Sequence, residues 1–276
     1  MTDAVEFLAR LRLAPAVLVT VQAHRGSVPR QAGAWMAVFA DHTLGSVGGG
    51  HLEWQAIAQA RERLGGRAGE SVVRYALGPA LGQCCGGEVH LQYELLHAAD
   101  EAALRERFAR ARRCWPAVAV FGGGHVGQAL VRVLASLPLR LHWIDSRDGV
   151  FSPDLATQVA CEVSDPIDAA VPDLPAQSAV LIMSHSHVQD QAIVMACLTR
   201  QRKLADLAFM GLIGSQTKWA TFSHRLAARG FTDVELAQVT CPIGLPGIVG
   251  REPEVIAVSV AAQVLRVLPP AQADCF

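Results

Sequence analysis

The sequence predicts an α/β protein. A parallel-sheet domain fills the C-terminal part, and a smaller α/β domain precedes it. Three observations carry this reading. The chain has 276 residues, of which 51% are hydrophobic and 18% charged, enough for about two domains with sizeable cores. From residue 115 onward, near-continuously apolar strands alternate with helices, the pattern of a parallel sheet covered on both faces. Gly122, Gly124 and Gly127 form G-x-G-x-x-G between a strand and a helix, and Asp145 closes the next strand.

The elements follow in order. The first domain, residues 1–97, opens with a short amphipathic helix and the strand AVLVTVQ (16–22). RGSVPRQAG (25–33) reads as a loop broken by Gly26, Pro29 and Gly33, and AWMAVFA (34–40) as a second strand. GSVGGGHLE carries three glycines, Gly48 to Gly50, into a helix that stops at Gly65–Gly66. SVVRYAL and EVHLQYELL are strands flanking LGPALGQCCGG, and the second alternates as a half-buried strand does. Residues 98–114 read as a charged helical linker, with Leu104 and Phe108 as a narrow apolar contact. In 115–276, PAVAVFG, LRLHWID, TQVACEV, SAVLIMS and ADLAFMGLIG are strands, and a last helix starts near Pro253, where proline suits a first helical position.

Composition narrows the function. A net charge of −1 offers no basic field for nucleic acid. No apolar run reaches the roughly 18 residues of a membrane span, and the N-terminus lacks a basic signal-peptide region. The seven cysteines are scattered without a C-x-x-C pair, as in a reducing compartment. The expectation is a soluble, cytoplasmic protein whose apolar excess covers an interface, a homodimer foremost.

Within the G-x-G-x-x-G turn, the first glycine makes the bend, the second admits a phosphate to the backbone and the third lets helix and strand pack. This context predicts a Rossmann-like domain. The helix N-terminus would serve NAD or any other phosphate, and His125 is bulkier than a tightly held pyrophosphate usually tolerates. His185 and His187 with Asp190 could ligate a metal, as in a metallohydrolase, or contact another ligand at a strand's C-terminal end. Ser186 and Gln189 read equally as a capping box. Lys218 falls in a helix's first turn, where the dipole opposes a cation, so it either offsets a bound anion or lies exposed. Gly48 to Gly50 could present N–H groups to an anion, or simply turn the chain.

Cys84 and Cys85 are adjacent and flanked by Gly82, Gly86 and Gly87. Four readings stand open: no role, a strained vicinal disulfide, part of a zinc site, or a thiolate handling a soft metal or sulfur.

RGSVPRQAGAWM, GSVGGGHLE, LGPALGQCCGG, FGGGHVGQAL, IDSRDGVF, FMGLIGSQTKW and CPIGLPGIVGREPEVIAVSVAAQVL occur in one order over nearly the whole chain. The combination resembles the XdhC/CoxI family of xanthine dehydrogenase accessory proteins. The resemblance implies a non-catalytic chaperone that binds molybdenum cofactor (molybdopterin). With a cysteine desulfurase, it supports sulfuration of that cofactor, and it then delivers the cofactor to apo-xanthine dehydrogenase. On this reading the cofactor-binding residues are Cys84, Cys85, Gly122, Gly124, His125, Gly127, Asp145, His187 and Lys218, with Cys84 and Cys85 contacting molybdenum. The alternative is an NAD-dependent oxidoreductase resting on the three turn glycines and Asp145.

Overall fold

The structure, a computed structural model, describes residues 2–77 and 86–269. The chain divides between Cys114 and Trp115 into two compact units.

The first unit is built on an antiparallel five-stranded sheet. Its strands are β1 (Ala16–Arg25), β2 (Trp35–Val38), β3 (Thr43–Gly45), β4 (Val72–Ala76) and β5 (Glu88–Leu96), in the order β3-β2-β1-β5-β4. The period-two alternation of side chains explains why β1 is buried on both faces from Ala16 to Val21, with Thr20 as the one polar residue in that stretch. Val17, Val19 and Val21 join a core with Leu52, Ala56 and Ala60 of α2 (Gly50–Leu64). Ala16 and Leu18 face the opposite way, into a core with Phe7 and Leu11 of α1 (Thr2–Leu11). Leu104 and Phe108 enter that second core from α3 (Glu101–Arg113), the charged segment that reads as a linker in the sequence. The Phe108 ring lies 5.1 Å from that of Trp35 and 6.3 Å from that of Phe7. The narrow Leu104/Phe108 stripe is thus enough to pack the helix into the first unit.

The second unit holds a parallel six-stranded sheet. Its strands are β6 (Ala117–Phe121), β7 (Arg140–Asp145), β8 (Ala160–Val163), β9 (Ala179–Ile182), β10 (Phe209–Leu212) and β11 (Val239–Thr240), in the order β11-β10-β9-β6-β7-β8. The chain leaves β6 outward through β7 and β8, then returns to the other side of β6 with β9. The order therefore reverses between β6 and β9, which makes a crevice at their carboxyl ends. α4 (His125–Leu134) and α9 (Pro253–Val267) share one core with Val118 and Val120 of β6. α6 (His187–Leu204) and α7 (Gln216–Ala227) share the other, with Ala119 and Phe121. Both faces of β6 are covered, hence its unbroken run AVAVF. Two four-residue helices, α5 (Pro153–Ala156) and α8 (Asp233–Leu236), and a 3₁₀ segment over Ile167–Asp173 complete the unit. Among the described residues, no helix is long and apolar enough to cross a membrane.

Candidate functional site

The strands around the crevice end level. Phe121 pairs with Ile144 and with Ile182, and Ile182 with Leu212. One further ladder bond follows each pairing: Gly122 N–H donates to Ile144 O, Met183 N–H to Phe121 O and Ile213 N–H to Ile182 O, each at 2.8 Å. The turns carrying Gly122, Asp145, Ser184 and Ser215 thus leave the sheet along one edge. α4, α6 and α7 all begin there, so three positive helix ends converge on it.

The three motif glycines do different work. Gly122 has φ +127°, and a Cβ there would collide with the Met183 carbonyl of the neighbouring turn. A Cβ at Gly127 would collide with the Gly122 carbonyl oxygen, which also accepts from Trp143 Nε1 at 2.9 Å. These two glycines are demanded by the protein's own packing. Gly124 is exposed, and a Cβ there would meet nothing within 4 Å. It is the point where a ligand can approach the backbone, and the N–H groups that follow it lack intrahelical partners. His125 begins α4 and is exposed beside it.

Asp145 is 0% exposed. Its Oδ1 accepts from the backbone N–H of Arg147 (3.0 Å) and from Arg147 Nε (2.9 Å). Its Oδ2 accepts from Gly123 N–H (2.6 Å) and Arg147 Nη2 (3.0 Å). Burial works to raise its pKa, but the Arg147 and backbone hydrogen bonds outweigh it and hold the carboxyl below its ordinary value. Its acceptor capacity is filled. The sequence singles out Asp145 as a ligand contact; in the fold it fastens the glycine turn to Arg147.

Lys218 is neither exposed nor turned to an outside anion. Its Nζ donates to Asp190 Oδ2 at 2.6 Å and to Ile213 O at 2.8 Å, and lies 5.4 Å from the Phe222 ring centre. Asp190 is 1% exposed, and its Oδ1 accepts from Ser184 N–H (2.9 Å) and Ser184 Oγ (2.6 Å). The pair ties the turns after β9 and β10 together, and it answers the unfavourable helix dipole at Lys218 from within the chain.

His185 and His187 are exposed while Asp190 turns inward, and the described residues hold no cluster of metal-ligating groups. The His187 ring stands edge-on to Phe222 at 6.3 Å. Ser186 caps α6 by accepting from Val188 N–H at 3.2 Å. Gln189 does not complete a capping box; it donates from Nε2 to Ser146 Oγ at 2.8 Å. In the first unit, the Gly48–Gly50 turn also finds its anion internally. Glu53 Oε2 accepts from Ser46 Oγ (2.5 Å), Val47 N–H (3.0 Å) and Gly49 N–H (3.2 Å). Cys84 and Cys85 lie outside the described residues. Of the other cysteines, Cys197 is fully buried in the core, which pushes its thiol up to about 12.

Sequence reasoning missed Arg147 and Ser184, and it read Gln189 only as a helix cap. Arg147 had one usable signal: an arginine two residues past the acidic strand end, in IDSRD.

A doubly wound parallel sheet with a glycine turn at its switch point, preceded by an antiparallel-sheet unit, defines a Rossmann-fold protein with a second domain. The chain belongs to the XdhC and CoxI family. The XdhC Rossmann domain matches residues 118–264, and the XdhC and CoxI family domain matches residues 10–76. A crystal structure described as a xanthine dehydrogenase, BH1974 from Bacillus halodurans, has the same fold. Its TM-score is 0.75 at 20% identity, covering 97% of this chain and 96% of that one. The uncharacterized protein YqeB of Escherichia coli (strain K12) is 25% identical over 260 residues. That match takes in 92% of this chain, which spans 43% of the length of YqeB.

Proposed function

We propose that this protein binds molybdenum cofactor as cargo, supports its sulfuration together with a cysteine desulfurase, and aids its insertion into apo-xanthine dehydrogenase. Membership of the XdhC and CoxI family supports a role in xanthine dehydrogenase maturation. The observation that carries the binding step is Gly124: it is the one motif glycine whose missing side chain leaves open space, at the start of a ten-residue helix. The cargo's phosphate would take the backbone N–H groups there, where the helix end favours an anion. The polar side chains around that turn support a carrier more than a catalyst. Asp145 is spent on Arg147 and Asp190 on Lys218, so neither is free to move a proton for a substrate. The same saturation counts against the NAD-dependent oxidoreductase, which needs a carboxylate able to accept from a ribose.

The test is reconstitution. Protein loaded with molybdenum cofactor should activate apo-xanthine dehydrogenase, and more so when a cysteine desulfurase and cysteine are present during loading. The Cys84→Ser/Cys85→Ser variant should remain folded and lose the sulfuration-dependent part of that activation. Equal activation by free cofactor and by loaded protein would refute the delivery role.

A further inference from the structure

We infer that the crevice beside the glycine turn selects a ligand carrying a phosphomonoester and rejects one presenting a ribose diol there, and that Arg147 sets this choice. The inference concerns the chemistry of this crevice and does not depend on which heterocycle the ligand carries.

In a sheet of this winding, the acidic residue at the end of the second strand reads ribose hydroxyls by accepting their hydrogen bonds. Asp145 holds that position at the end of β7, yet it is 0% exposed and both oxygens are occupied. What the chain presents instead is the Arg147 side chain, 41% exposed. Only Nε and one Nη2 hydrogen are given to Asp145; the remaining N–H groups have no partner among the described residues. Asp145 Oδ2 binds Gly123 N–H and Arg147 Nη2 together, so the guanidinium sits directly beside the glycine turn. Gln189, in the first turn of α6, and Ser146, after β7, bridge across the glycine turn, and Gln189 Oε1 is a buried acceptor with no partner among the described residues, so it would take an N–H or O–H of a ligand and not its phosphate. The donors beside the turn are the unpaired Arg147 N–H groups and the backbone N–H groups that open α4. A doubly charged phosphomonoester, with its acceptor oxygens, matches the guanidinium fork; a diol does not.

NAD⁺ and NADP⁺ serve as probes, because they differ only in a ribose hydroxyl against a phosphomonoester. Isothermal titration of the full chain should give NADP⁺ an affinity roughly tenfold or more above that of NAD⁺. Lowering the pH from 7.5 to 5 should shrink the gap, since the phosphomonoester gains a proton near pH 6. Arg147→Met should bring the two within about twofold, and Arg147→Lys should restore part of the difference. A melting curve on each variant, with the Lys form keeping a cation for Asp145, separates loss of selectivity from loss of fold. Equal affinities, tighter NAD⁺ binding or no binding of either probe would overturn the inference. If that happened while the protein still retained molybdopterin, the phosphomonoester selectivity would fail and the proposed function would stand. Clear NADP⁺ selectivity in a protein that never takes up molybdopterin would be the reverse case.

Discussion

Single residues at the sheet edge separate packing from binding. Gly127→Ala should cost about 1–3 kcal/mol in urea denaturation, because the added methyl meets the Gly122 carbonyl with no room to move. Gly124→Val should leave the fold near wild-type stability and remove ligand binding, since the side chain enters open space that only a ligand would fill. Gly124→Val that binds normally would place the phosphate elsewhere. Asp145 gives a pH prediction. Its native pKa is lowered, so its contribution to stability is complete above the ordinary value of about 4 and is lost as pH falls through the lowered native one. Acid unfolding followed by circular dichroism should steepen below that point in the wild type and less so in Asp145→Asn. Parallel curves would contradict the account of Asp145 as a charged clasp. The sequence made Asp145 visible as a site residue but not its direction. Periodicity places it at a strand end, whereas its burial follows from Arg147 folding back over two residues.

At the scale of elements, the Asp190–Lys218 pair is the clearest case. It joins the first turns of α6 and α7, and both partners are nearly buried, at 1% and 12% exposure. Lys218→Met should destabilise the protein by about 3–5 kcal/mol, because it strands a buried carboxylate. Lys218→Met with Asp190→Asn should recover part of that loss, which a double-mutant comparison by urea denaturation would measure. A fully additive result would mean that the two act independently. The strands and long helices were legible because their apolar runs and periods are local properties. β5 matches the run EVHLQYELL over its full length, and α9 starts at Pro253 as its ring predicts. The short helices α5 and α8 were not, since four residues carry too little periodicity to read. The partnership of residues 190 and 218 was equally hidden. Each looked like a local feature of its own helix, and only the strand order brings their helices side by side.

For the whole molecule, the second unit's architecture was written in the sequence because each strand–helix repeat fixes its own handedness and the glycine turn marks the switch point. The candidate site was legible in part. Gly122, Gly124 and Gly127 mark the turn, while Asp145 and Lys218, expected to face a ligand, are consumed by Arg147 and Asp190. Charge and spacing in a sequence show that an ion is present; they do not show whether the fold supplies its counter-ion. The proposed function places molybdopterin on the turn at Gly124. The measurement that meets it most directly is mass spectrometry of small molecules, with molybdenum analysis, on protein purified anaerobically from cells that make molybdopterin. Gly124→Val and Cys84→Ser/Cys85→Ser would be run beside the wild type. Molybdopterin is expected in the wild type, with its loss in Gly124→Val and reduced molybdenum in the cysteine variant. NAD without any pterin in all three samples would contradict the proposed function.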